Sequence, residues 1–183
     1  MTVQQDPDQR AAGLVLAGVG TQEEVASRLR VAAARLASLT TWPLRPLDPD
    51  RSPPQVLAEL GEGRCTRQAP AWLAPLPVDP GLVSGSGGSW AERLGAWRQP
   101  TLLLLDASQL PTGWPAAATA LLQQTQVPLV GLIQWGGIWE PARRRQDGLP
   151  WLGALAAADG DGEEEGEALL AALARRWRAL DLT

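Results

Sequence analysis

Leu14-Val15-Leu16-Ala17-Gly18-Val19-Gly20-Thr21 is an apolar run that ends in a glycine turn and a threonine. Gly13 to Ala17 has the length and continuity of a strand buried on both faces. Thr21-Gln22-Glu23-Glu24 then opens a helix, with a hydroxyl N-cap and a glutamate three positions on. Val25, Leu29, Ala32, Ala33 and Leu36 mark its apolar face, and Arg28, Arg30 and Arg35 fall largely elsewhere. Strand, glycine turn and helix together predict a parallel α/β fold, and the turn predicts an anion site built from backbone N–H groups. An ordinary phosphate-binding loop also carries a lysine at this point. The chain has no lysine; all 16 of its basic residues are arginines.

Outward from this unit the alternation continues. Trp42 to Leu47 is extended and broken by Pro43 and Pro46, which predicts at most a short edge strand. Ser52-Pro53-Pro54 opens a short helix to about Leu60. The density of proline and glycine over 61–88 predicts a long ordered loop with small turns. Helices are expected over Ser89–Trp97 and Trp114–Gln124, and strands over Thr101–Asp106, Pro128–Gln134 and Pro150–Leu155. A final helix over Glu163–Leu180 has acids first and Arg175, Arg176 and Arg178 last, matching its dipole. The expectation is a flexible N-terminus over 1–11 and a single α/β domain over 12–183. That domain has three layers: a mostly parallel sheet of about five strands with helices on both faces.

Composition limits the chemistry. The 183 residues are 45 % hydrophobic and 20 % charged, as in soluble globular proteins. A net charge of −4 argues against nucleic-acid binding. Without histidine there is no Ser-His-Asp triad, no Cys-His pair and no histidine-ligated metal. Without lysine there is no Schiff base. Cys65 is a single cysteine, which rules out an internal disulfide and fits a reducing, cytoplasmic setting. The first residues lack the basic and apolar regions of a signal peptide, and the longest apolar runs are strand-length, so no membrane association is expected.

Ligands of parallel sheets bind beyond the carboxyl ends of strands. The candidates there are Gly18, Gly20 and Thr21 as an anion site, and Gly85, Gly87 and Gly88 in a second glycine turn that could approach a phosphate. Asp106, at a strand end, is a weak candidate for a metal; Ser108 beside it has no histidine or lysine to activate it. Trp135 and Trp139 precede Arg143, Arg144 and Arg145, and this group is the expected partner surface. The acidic run over 159–165 reads as a solvated face.

The order of these pieces resembles the dethiobiotin synthetase family, P-loop enzymes of the broad superfamily that holds the ParA-like ATPases and cobyrinic acid amidating enzymes. Leu14 to Thr21 is similar to the family's first strand and phosphate loop. Thr41-Trp42-Pro43 sits where an aromatic-Lys-Pro stretch follows the second strand, and Gln68 to Ala74 resembles the Ala-Pro segment. Leu82 to Gly88 is similar to the apolar strand with Glu-Gly-Ala-Gly-Gly. Ala96 to Leu104, Gln126 to Ile133 and Leu149 to Gly153 resemble later strands. The resemblance implies a P-loop NTPase-like fold and a homodimer. It departs at the working residues: the P-loop lysine has no counterpart, Ser84 stands at the metal-binding glutamate, and Trp135 at the adenine-reading asparagine. Of the functional positions, the glycines and Thr21 persist. The expectation is a non-catalytic relative serving as a binding or assembly module, with no cofactor and with a second copy or another protein as partner. The alternative is a divergent ATP-dependent ligase using ATP and magnesium, with Thr21, Asp106 and an arginine from elsewhere.

Overall fold

The computed structural model describes residues 13–48, 51–60, 70, 72–83, 88–157 and 163–180. Its strands are β1 (Leu14–Gly18), β2 (Leu73–Pro75), β3 (Thr101–Asp106), β4 (Leu129–Trp135) and β5 (Trp151–Leu155). Its helices are α1 (Gln22–Thr40), α2 (Pro53–Leu60), α3 (Trp90–Ala96), α4 (Trp114–Gln124), α5 (Pro141–Gln146) and α6 (Glu163–Leu180), with a 3-10 turn over Ala107–Gln109. The strands form one sheet in the order β2-β1-β3-β4-β5, every pair parallel. This is a three-layer α/β architecture of P-loop-like type. No described helix is long and apolar enough to cross a membrane.

Each buried strand serves two cores, because successive side chains point to opposite faces. Leu14 and Leu16 of β1, with Leu102 and Leu104 of β3, pack under α1 and α6. Val15, Ala17, Leu103 and Leu105 pack on the other face, under α2, α3 and α4. That is why the central strands read as unbroken apolar runs. Val130 is an extra residue in the β3–β4 ladder, where Thr101 pairs with Leu129 and Leu102 with Gly131.

The edge of the sheet corrects one expectation. Trp42–Leu47 contributes a single bridge from Leu44 to Leu73, within the expected limit of a short edge strand. The departure is β2, a strand inside the segment expected to be loop. Trp72 explains why so short a strand is held: its indole is fully buried under Gly13, where an added Cβ would stand 2.0 Å from the ring. The Leu14 N–H donates to the Trp72 carbonyl at 3.0 Å, and the Leu73 N–H to the Pro43 carbonyl at 2.9 Å. The flexible start, Cys65, Ser84 and most of the acidic run lie outside the described residues, and α5 was not foreseen.

Candidate functional site: the crevice between β1 and β3

The chain leaves β1 toward β2 on one side and returns to β3 on the other. Beyond the carboxyl ends of β1 and β3 lies the crevice where a parallel sheet of this kind takes a ligand. Gly18–Thr21 and Asp106–Gln109 meet there, so Gly18, Gly20, Thr21 and Asp106 are brought to one place.

Side chains of the protein itself occupy the donors of this crevice. The Gly20 N–H donates to Asp79 Oδ2 at 3.1 Å, and the Thr21 N–H donates to Glu24 Oε2 at 3.0 Å. The Thr21 hydroxyl donates to the same Glu24 oxygen at 2.8 Å and accepts from the Glu24 N–H at 3.4 Å, which completes a capping box on α1. Gly20 has φ +134, a conformation side chains rarely adopt, so glycine is needed to turn its N–H toward Asp79. The N–H groups that would cradle a phosphate therefore already hold carboxylates.

A second set of bonds ties the two loops together. Gln109 Nε2 donates to the Val19 carbonyl at 2.8 Å, while Gln109 Oε1 accepts from the Asp106 N–H at 2.9 Å. Arg28, one turn into α1, donates to the Val19 carbonyl at 3.2 Å and to Gln109 Oε1 at 3.5 Å, and its Nε lies 3.9 Å from Asp106 Oδ2. The Asp106 carboxylate in turn accepts from the Ser108 N–H at 3.0 Å and the Ser108 hydroxyl at 2.6 Å. Gln109→Ala removes the cross-link and leaves polar groups of both loops without it. A loss of about 1–2 kcal/mol in urea unfolding is expected.

The Thr21 hydrogen bonds, opposed by slight burial and aided by Arg28, hold the Glu24 carboxyl below its ordinary 4.5. Burial pushes Asp106 up, but the Ser108 hydrogen bonds and the Arg28 charge outweigh it, and the carboxyl stays below its ordinary 3.8. Both groups have depressed values in the folded state. Their contribution is therefore complete at neutral pH and is lost as pH falls through the depressed folded values, beneath the ordinary carboxylate range. The urea midpoint is expected to be flat from pH 7 to about 5 and to drop below about 4, with a shallower drop in Glu24→Ala.

The second glycine turn follows the same rule in its described part. Gly88, at φ +102, precedes Ser89, the N-cap of α3, and Glu92 Oε2 accepts from the Ser89 N–H at 2.6 Å. Gly85 and Gly87 lie outside the described residues. No group of three or more histidine, cysteine, aspartate or glutamate side chains that could hold a metal occurs among the described residues.

The tryptophan-arginine group divides between core and surface. Trp135 is 9 % exposed and packs under α6, and Arg144 is 6 % exposed, so neither belongs to the surface expected of it. Trp135 ends β4 on the same face as Ile133, and both join the core under α6. Arg144 lies over the Trp151 ring at 5.3 Å and pairs with Asp147 at 3.4 Å. Trp139 is half-buried, edge-on to Trp151 at 6.3 Å between centroids. Arg143 and Arg145 are exposed, and Ile138, in the stretch between β4 and α5, is 88 % exposed. Sequence reasoning missed Arg28, Gln109, Asp79 and Ile138. The D-x-x-Q spacing of Asp106 and Gln109 is a capping-box signature that could have found the second of these.

No family model matches the chain, and no curated protein or solved structure matches it either.

Proposed function

We propose that this protein is a non-catalytic binding or assembly module, a degenerate relative of the dethiobiotin synthetases in which the nucleotide loop has become a structural turn. The observation that carries this reading is the pair of carboxylates, Asp79 and Glu24, on the Gly20 and Thr21 N–H groups. A phosphate entering there would have to displace both and would meet their charge. Phosphoryl transfer depends on placed positive charge and metal, and Arg28, the cation that reaches this turn, is committed to Val19, Gln109 and Asp106. The ligase alternative draws on that same Arg28–Asp106 pair, and would need it released.

The partner in this reading is a second copy of the chain, in a cytoplasmic setting, docking through Ile138, Trp139, Arg143 and Arg145. Light scattering after size exclusion is expected to give a dimer, and Arg143→Glu with Arg145→Glu to shift it toward monomer. Calorimetric titration with ATP and magnesium, with and without 7,8-diaminopelargonic acid, is expected to give no heat of binding. Saturable ATP binding with hydrolysis would establish the ligase instead.

A further inference from the structure

We propose that a separate cavity, at the carboxyl ends of β3 and β4, binds a small α-amino acid, with its carboxylate on Arg144 and its ammonium toward Glu140. The cavity is about 270 Å³, and its lining includes Gln134, Ile138, Glu140, Arg143 and Arg144. This volume lies at the small end of ligand pockets, roughly 300–1,000 Å³.

A guanidinium carries five N–H donors in a planar fork that matches a carboxylate. Here the Arg144 side chain is 7 % exposed, yet its one hydrogen bond among the described residues is a long one, Nη1 to Asp147 Oδ2 at 3.4 Å. Nε is buried with no partner. Buried charged donors are ordinarily paired, and charge-assisted bonds are shorter than this, about 2.7–2.9 Å. The guanidinium is also held in place, over the Trp151 ring at 5.3 Å, while the Trp151 indole N–H donates to Asp147 at 2.9 Å. A rigid, buried, under-bonded guanidinium on a cavity wall is complementary to an incoming carboxylate.

The opposite chemistry lines the same cavity. Gln134 has both amide hydrogens committed, to the Gly136 carbonyl at 2.8 Å and the Ile138 carbonyl at 3.0 Å, so it can offer only an acceptor. Glu140 meets Arg143 at 3.4 Å in an exposed, solvent-screened pair that a ligand can replace. A phosphate or a simple acid would leave Glu140 with only that exposed, screened partner. An ammonium beside the carboxylate answers it. This inference stands apart from the β1 loop: it holds whether or not nucleotide binds there.

The test uses near-isosteric probes, L-alanine, propionate and propylamine, with the indole N–H resonance of Trp151 as the reporter. L-Alanine is expected to shift it saturably at about tenfold lower concentration than propionate, and propylamine to leave it unmoved. No saturable shift with L-alanine, or equal responses to L-alanine and propionate, would overturn the proposal. Arg144→Met should abolish the shift. Should that variant fail to fold, Glu140→Gln at the exposed rim decides: L-alanine should fall to the level of propionate, and an unchanged preference would contradict the assignment.

Discussion

Trp72→Ala should lower the stability of the protein by about 3–5 kcal/mol, the range for truncating a fully buried tryptophan. Trp72 is 0 % exposed and precedes the shortest strand of the sheet, β2. Its ring fills the space over Gly13, and the chain around it carries the bonds that join β2 to β1 and to Pro43. Removing it opens a cavity at the sheet edge and loosens the one strand with only three residues to hold it. In a domain of this size the melting temperature should fall by on the order of 10 °C. Trp72→Phe should cost far less, since it keeps most of the apolar ring and removes an indole N–H that is buried without a partner. Thermal melts of the two variants check this. Equal losses would mean that the indole edge, not ring volume, holds β2.

Gly95→Ala should be nearly as damaging. A Cβ at this position would stand 1.7 Å from the Thr125 carbonyl oxygen and 2.8 Å from its carbon, both backbone atoms. A side chain could rotate away, but the chain leaving α4 cannot do so without moving Gln126, which sits at φ 62, and the turn that leads into β4. Overpacking of flexible neighbours costs about 1–3 kcal/mol, so a fixed backbone neighbour places this variant at about 3 kcal/mol or more. Gly113→Ala is the control: nothing lies within 4 Å of its Cβ, its φ is −77, and it should be neutral or slightly stabilising. Urea unfolding of both variants reads the difference.

The architecture was largely legible because it rests on long apolar runs. Leu102 to Leu105 and Leu14 to Ala17 serve two cores at once, and that demand writes itself into the sequence as continuous hydrophobicity. β2 was not legible. Leu73-Ala74-Pro75 is too short for periodicity, it lies among prolines, and its place in the sheet depends on Trp72 finding Gly13, 59 positions away in the chain. The site shows the same division. The Thr21–Glu24 spacing was read as a helix start, but the consequence that Glu24 would cover the loop's own N–H groups was not drawn. The partner of Gly20 is Asp79, across the sheet edge, and no local pattern points to it. Arg144 reads as surface because a charge run usually is, but it folds inward over Trp151 of β5; Trp135 packs under α6.

Across the crevice the same device recurs. Thr21 with Glu24, Ser89 with Glu92 and Asp106 with Gln109 each close a helix start by a reciprocal cap. Helix starts that could offer free N–H groups to an anion instead satisfy them from within the chain.

The central claim is that the Gly20–Thr21 turn is closed by Asp79 and Glu24. The amide resonances of Gly20 and Thr21, followed while magnesium and ATP are added at neutral pH, test it directly. The account predicts that both stay where they are at every concentration. A saturable shift of the two amides together would show phosphate displacing the carboxylates, and would contradict it.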